Sequence, residues 1–430
     1  MLTGCCRDIY LLIPGGILFP GSPYRFMDNM LSSTKVRLHL AGKQWLALLS
    51  LLIVQVLAAF YLQGMAILAP AFALTYHLNV LQVSTLISAK ALGSVLGGLA
   101  LGVGLDRVGG RRVVWIGLFS AVVLFAIAGG MVKNYLELLL SMLLLGMVLP
   151  IFSVVGLYAI THDFPPDCAG MLLGLRQGVI PLGGITAGAL FPMLILVPLF
   201  TVIGGLGFLI FLLTMLLALA LWQLPDHPVE PNQKSPTSPS FPRALLPVGL
   251  VVFFIGAGQF SVLVFGLLYL GKLGVHATWA GGAVLALFLS GGFAARIIAG
   301  LLVGRHISLK PLLVIITLVG SLAMVIWGAM PFHTTAWMIL CFSFILGVGI
   351  AGYNALPFQW AAELVAQEQK GRTMGLVSAI SGLAVMLWLP LFGAIVDLWG
   401  YRAMWYLVAF LYATAAIVVL RYTNSADPPD

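Results

Sequence analysis

Gly102-Val103-Gly104-Leu105-Asp106-Arg107-Val108-Gly109-Gly110-Arg111-Arg112 is a short charged stretch between two long apolar runs, residues 82–103 and 113–132. Crossing the hydrocarbon core of a bilayer takes about 20 apolar residues at roughly 1.5 Å each, and both runs are long enough. The stretch therefore reads as a tight turn joining two membrane-crossing helices. Its glycines allow close backbone approach and a sharp reversal. Asp106 falls in the last turn of the first helix, and Arg107, Arg111 and Arg112 form a basic cluster. Basic clusters in short loops mark the cytoplasmic face.

The whole chain has the composition this reading needs. Of 430 residues, 61% are hydrophobic and only 8% charged, and the mean hydropathy is +1.10. A soluble domain carries roughly 25% charged residues, so this chain is dissolved in lipid. The 49 glycines fit, because small residues let membrane helices approach where apolar burial gives no drive. A net charge of +8 would suggest nucleic acid in a soluble protein. In a membrane protein it reflects loops facing anionic lipid, and no nucleic-acid partner is expected. Cys5, Cys6, Cys168 and Cys341 show no metal or redox spacing.

Working outward, twelve apolar runs emerge: 44–68, 82–103, 113–132, 136–160, 170–193 and 199–222, then 244–270, 279–303, 311–330, 335–360, 373–396 and 403–420. The expected fold is an all-α membrane protein of twelve transmembrane helices in two six-helix halves, residues 44–222 and 244–420. Between the halves lies a polar, proline-rich stretch, 223–243, which reads as a flexible linker. Residues 1–43 read as a cytoplasmic extension, with a start at Met27 or Met30 as the simplest explanation of 1–29, and 421–430 as a cytoplasmic tail. With both termini inside, sixteen Lys and Arg residues fall on the cytoplasmic side and only Lys133, Lys272 and Arg402 outside. Trp45, Trp115, Trp279, Trp399 and Tyr422 near the helix ends read as interfacial anchors.

The turn at 102–112 resembles the signature loop between helices 2 and 3 of the major facilitator superfamily, whose core reads Gly-x-x-x-Asp-Arg-x-Gly-Arg-Arg. The chain departs from it at Gly110, with the arginines one place later. The halves also echo each other: Gly102 to Arg107 lines up with Gly300 to Arg305, and Gly170 to Leu175 with Gly371 to Leu376. The resemblance spans about residues 44–420. It implies alternating access, a substrate site near the midplane between the halves, and a cavity lined by helices 1, 4, 7 and 10. It also implies a cytoplasmic gate built on Gly102, Asp106, Arg107, Gly109 and Arg111. Asp106 would face the amino end of helix 11 near Gly371–Gly375, where partial positive charge and free N–H groups gather. Arg107 and Arg111 would bridge to carboxylates such as Asp163.

Two cations fall inside the membrane. Lys90 lies roughly 20 Å, and Arg296 roughly 12 Å, from the cytoplasmic surface along their helices. Such a charge costs at least about 2.5 kcal/mol and is by default a site candidate. No acid lies at that depth: Asp106, Glu137, Asp163, Asp167, Glu363, Glu368 and Asp397 all fall at helix ends or in loops. Two cations without a resident anion suggest that the anion is the cargo. Arginine holds a carboxylate in a bidentate fork and lysine acts as a point charge. An arginine in helix 8 also resembles the oxalate/formate antiporter and monocarboxylate porter branches, where it binds substrate carboxylate. The alternatives are that Arg296 bonds helix-end carbonyls or water, and that Lys90 reaches the outer interface. Arg176, in helix 5, is a cavity cation or a gate residue. Gln55, Gln259, Tyr353 and Asn354 complete the candidate substrate site, with Tyr61, Gln63 and Gln359 as further polar positions; for each, an interhelical hydrogen bond is the competing role.

No nucleophile elbow, phosphate loop or metal-ligand spacing occurs, so neither an enzyme nor ATP-driven transport is indicated, and no cofactor is expected. The leading expectation is a secondary transporter of a small organic anion, either by symport with protons or by exchange of anions. It would act as a monomer in the cytoplasmic (inner or plasma) membrane. Export of hydrophobic or cationic compounds is weakened by the missing membrane-embedded acid. A non-transporting sensor on the same scaffold is the third reading.

Overall fold

Where they are described, the apolar runs fold as helices. The computed structural model describes residues 42–424, apart from 109–111, 114, 118, 119, 121–133, 154, 155, 157, 158, 161–163, 165–171, 173, 174, 177, 195–198, 223–242, 276, 277, 304–306, 332, 333 and 366–369. The linker, the amino-terminal extension, most of the run at 113–132 and the last six residues thus lie outside the described residues. The first run forms α1 (Gly42–Ile67) and α2 (Ala69–Tyr76), and the second forms α3 (Val80–Val108). Then come α4 (Tyr135–Val148), α5 (Ile180–Leu194) and α6 (Leu199–Trp222). In the second half, one run supplies α7 (Leu246–Ile255) and α8 (Gly258–Lys272), followed by α9 (Thr278–Leu302) and α10 (Leu309–Ala329). The next run supplies α11 (Ala336–Ala351), a 3-10 turn (Gly352–Ala355) and α12 (Leu356–Glu363), and α13 (Lys370–Asn424) closes the chain.

Helix α13 has 55 residues, roughly 80 Å of helix and more than twice a hydrocarbon core. It cannot be one span. At Gly400 the backbone turns to φ +83, a conformation that favours glycine, and divides it into limbs 370–399 and 401–424 that match the last two runs. Among the described residues, eight helical segments are long and apolar enough to cross a membrane, the double α13 being one of them. Helix starts follow side-chain chemistry: Asn134 accepts from the Glu137 N–H at 3.0 Å, and its amide donates to the Glu137 carboxylate at 2.7 Å. Trp115, Trp279, Trp399 and Tyr422 are exposed, as interfacial anchors should be.

Glycines set the closest helix contacts, and they do so twice. A Cβ on Gly93 of α3 would strike the Leu143 carbonyl of α4, and one on Gly146 of α4 would strike the Lys90 carbonyl of α3. In the second half, Gly291 of α9 stands against the Phe344 carbonyl of α11, and Gly347 of α11 against the Phe288 carbonyl of α9. Both pairs use the same three-residue spacing on both helices. The offset between Gly93 and Gly291 is also the one that aligns Gly102 with Gly300, so the internal repeat expected from sequence is a repeat of packing.

The halves meet chiefly along two helix pairs, α3 with the first limb of α13, and α5 with α9, with a smaller contact of α8 against α1 and α2. Gly393 of α13 packs against Val80, Leu81 and Ser84 of α3. Gly188 of α5 packs against Leu285 and Ala286 of α9, and Gly282 of α9 against the Ala189 carbonyl. All these lie toward the face at which α3 begins, opposite the charged turn. Toward the charged-turn face, a Cβ on Gly178, Gly300 or Gly375 would meet nothing within 4 Å. The molecule is closed at the face opposite the charged turn.

Candidate functional site

Two of the broken helices place polar side chains at one point between the halves. Helices α7 and α8 part at Gly256 and Ala257, and Gln259 is the second residue of α8. Helix α11 gives way to the 3-10 turn that holds Asn354. The cause of that turn is Pro357, which has no N–H for the Tyr353 carbonyl; the Leu356 N–H takes its place and tightens the backbone. Breaks of this kind are where transporters of inverted-repeat build expose backbone to a central site.

Gln259 is the hub. Its Oε1 accepts from Asn354 Nδ2 at 3.1 Å and from Arg296 Nη2 at 3.4 Å, and its Nε2 donates to Gln63 Oε1 on α1 at 3.1 Å. Arginine can only donate, so Arg296 sets which end of the Gln259 amide faces it and leaves the NH2 end to Gln63. The last bond crosses from one half to the other. Gly184 of α5 makes room for it, since a Cβ there would come within 2.5 Å of Gln63 Nε2. Half-buried Arg296 also donates from Nε at 3.1 Å and from Nη2 at 3.0 Å to the Ala351 carbonyl at the end of α11. Its Nη1 makes no hydrogen bond among the described residues.

The other expected site residues are placed apart from this cluster. Lys90 is buried at 2% exposure, and its Nζ donates to the Leu62 carbonyl of α1 at 2.9 Å, so it does not reach the interface region. Arg176 is as deeply buried, and its Nη2 donates to the Phe152 and Ser153 carbonyls at 3.2 and 2.8 Å. Tyr353 turns away from the hub: its hydroxyl donates to the Ile255 carbonyl at 2.9 Å, which also accepts from Tyr412 at 3.3 Å. Those hydroxyls satisfy a carbonyl freed by the break between α7 and α8. Gln55 is buried, and its Oε1 has no partner among the described residues. Gly109 and Arg111 of the expected gate lie outside the described residues, and of Gly102, Asp106 and Arg107 only the helical backbone is described. Among the described residues, no carboxylate bonds to Lys90, Arg176 or Arg296.

Sequence reasoning weighted Gln55 over Gln63 as the contribution of the first helix, and the cluster uses Gln63. Eight residues apart, the two amides stand about 80° apart around a helix, so the choice depends on which stripe of α1 meets α8. Every side of α1 is apolar, and no stripe is marked. A usable signal was the small residue opposite: Gly183-Gly184 in α5 leaves space that only a larger neighbour can fill.

The family model of the Major Facilitator Superfamily matches residues 51–330 and 280–430. Among solved structures, a D-xylose-proton symporter superposes with a TM-score of 0.71 at 15% identity, over 88% of this chain and 97% of the other. The nucleoside transporter NupG, as its D323A mutant, gives 0.71 at 13% identity over 87% and 99% of the two chains. The xylose transporter XylE from E. coli, in an inward-open conformation, gives 0.65 at 16% identity over 87% and 96%. No curated protein matches the chain at a significant level. At these identities the structural likeness carries the fold, and the family model carries the kinship. With its paired halves, broken helices and polar crossing point, this multi-pass membrane protein belongs to the Major Facilitator Superfamily, a family of transporters.

Proposed function

We propose that the protein is a secondary transporter that moves a small organic anion by alternating access, with Arg296 as the contact to the substrate carboxylate. One observation carries the reading. A guanidinium stands at the point where the halves meet, with no carboxylate bonded to it among the described residues and with Nη1 unused. Gln259, Asn354 and Gln63 supply further donors and acceptors around the substrate. Lys90 and Arg176, each held on backbone carbonyls, stay outside this contact set. The basic-residue asymmetry supports a cytoplasmic charged-turn face and cytoplasmic termini.

A second reading has its own support. The three amides suit a neutral polar solute, and two of the similar structures are described as carrying D-xylose and nucleosides. Thermal unfolding of the detergent-purified protein separates the two. A ligand of the folded state at about 100 times its Kd adds about 2.7 kcal/mol of stability. Stabilisation by a small carboxylate, absent in Arg296→Gln, is the expected result. Stabilisation by sugars or nucleosides that survives in Arg296→Gln would replace the anion with a neutral solute. Stabilisation by lipophilic cations alone would put export first.

The gate proposed on Asp106 makes a separate prediction. Asp106→Asn keeps the shape of the side chain and removes its charge from the end of α3. Uptake should fall about two- to fivefold, the factor of one carboxylate at a helix end, while expression and unfolding temperature change little. Normal uptake at normal expression would remove Asp106 from the mechanism.

A further inference from the structure

The opposite face carries a contact between the halves that ordinary helix packing does not require. Helix α3 begins with four N–H groups that have no partner inside the helix, those of Asn79, Val80, Leu81 and Gln82, and the structure accounts for each. Gln82 N–H donates to Asn79 Oδ1 at 2.8 Å, while the Gln82 side chain accepts from the Asn79 N–H at 3.0 Å. Regular helical bonding starts with Val83, whose N–H donates to the Asn79 carbonyl at 3.1 Å. These bonds are local and would survive any movement of the halves. The remaining two donors are satisfied from the other half: Val80 N–H donates to Asp397 Oδ1 at 3.3 Å, and Leu81 N–H to Asp397 Oδ2 at 2.9 Å. One carboxylate thus takes both donors, where the partial positive charge of the helix is concentrated. Gly393, one turn earlier in α13, brings the backbones close enough for this reach, because a Cβ there would strike Ser84 Oγ.

The geometry matches the gate expected at the charged turn. Helix α3 and the first limb of α13 run antiparallel, so the carboxyl end of each faces the amino end of the other. Asp106 lies roughly 39 Å along α3 from Val80, and Asp397 roughly 40 Å along α13 from Lys370. Each helix therefore carries one acid at about the same distance along its length, Asp397 bonded to the amino end of its neighbour and Asp106 at the opposite end of the pair. Two rigid helices rocking about a central point cannot close both ends at once.

We infer that Asp397 is the latch of the face opposite the charged turn, closing it by capping α3 across the interface and releasing it when the halves part. The inference rests on the alternating-access reading, and adds to it the residue that holds the state seen here. When the latch opens, the Val80 and Leu81 N–H groups and the carboxylate all pass to water. The exchange is cheap enough for a working gate, because the site is exposed rather than buried in hydrocarbon.

The test is a distance measurement in lipid nanodiscs. Spin labels go on Leu74→Cys in the first half and Trp279→Cys in the second, two exposed positions at the latched face, with Cys5, Cys6, Cys168 and Cys341 replaced by serine. Asp397→Ala should raise the ratio of long to short distances about two- to fivefold, the factor of one carboxylate at a helix amino end. Asp397→Asn keeps an acceptor without the charge and should give a smaller shift in the same direction. It also serves as the reading if the alanine variant folds poorly. Gly393→Leu, which wedges the same helices apart, is the control. Longer distances in the Gly393 variant with none in either Asp397 variant would overturn the latch alone. No change in any of the three would overturn alternating access at this face, and the latch with it.

Discussion

Gln259→Leu is expected to lower transport about thirtyfold in proteoliposomes while leaving the helices in place. Leucine is close to glutamine in volume, so the space in α8 is kept and the chemistry is removed. Two groups then lose their partner, Gln63 Oε1 and Asn354 Nδ2, while Arg296 Nη2 keeps the Ala351 carbonyl. A buried polar group left without a partner costs roughly 1–3 kcal/mol, and the lower end of that range for two groups gives about 2 kcal/mol, near thirtyfold in rate. Gln63→Leu and Asn354→Leu each remove one arm and should cost about five- to tenfold. Gln259→Glu discriminates further. It places a carboxylate beside Arg296 and supplies internally the anion that the substrate is proposed to bring. Uptake of an organic anion should then fall to background with the fold intact, because the guanidinium is already neutralised. Uptake that survives Gln259→Glu would mean that Arg296 does not meet the substrate.

The hub shows what could be read from the chain and what could not. The apolar runs that the structure describes as helices are legible because a bilayer imposes length and polarity on every helix, and those are one-dimensional properties. Arg296, Gln259 and Asn354 were legible as candidates for the same reason: polar groups at that depth need a partner or a purpose. Their grouping was not. It depends on the rotation of α1, α8, α9 and α11 about their own axes, and helices apolar on every side do not write their rotation into sequence. Lys90 and Arg176 show the converse. Both are as anomalous in sequence as Arg296, yet each is held by backbone carbonyls of a neighbouring helix, a remedy that no side-chain pattern announces. Arg296 has the same remedy in part, since its Nε and Nη2 donate to the Ala351 carbonyl at the end of α11, the alternative partner the sequence offered for it. Asp397 was set aside because it lies at a helix end, and it is the end of the neighbouring helix that gives it a role.

Gly347→Val should be the most damaging single change to stability, and the repeat explains why. A Cβ at position 347 would overlap the carbonyl oxygen of Phe288, with the Phe288 carbonyl carbon at 2.7 Å and its Cα at 3.0 Å. Every one of these atoms is backbone, so no rotamer change relieves the contact. Helices α9 and α11 would have to separate, and α9 also carries Arg296 and the contact to α5. Overpacking a well-fitted site costs typically 1–3 kcal/mol when side chains can shift; with backbone on the far side, more than about 3 kcal/mol is expected. The equivalent change in the first half, Gly146→Val against the Lys90 carbonyl, should cost as much. Gly300→Ala and Gly271→Ala provide the comparison, since an added Cβ meets nothing within 4 Å at either position and both lie in helices. Alanine is the better helix former by up to about 1 kcal/mol, so these variants should match or slightly exceed the parent. Unfolding temperatures measured in one detergent would rank the four. If the valine variants unfold with the alanine variants, the close approach of α3 to α4 and of α9 to α11 does not hold each half together. Stability must then rest on the contacts between the halves, at Gly188, Gly282 and Gly393, which the proposed alternating access would separate and rejoin.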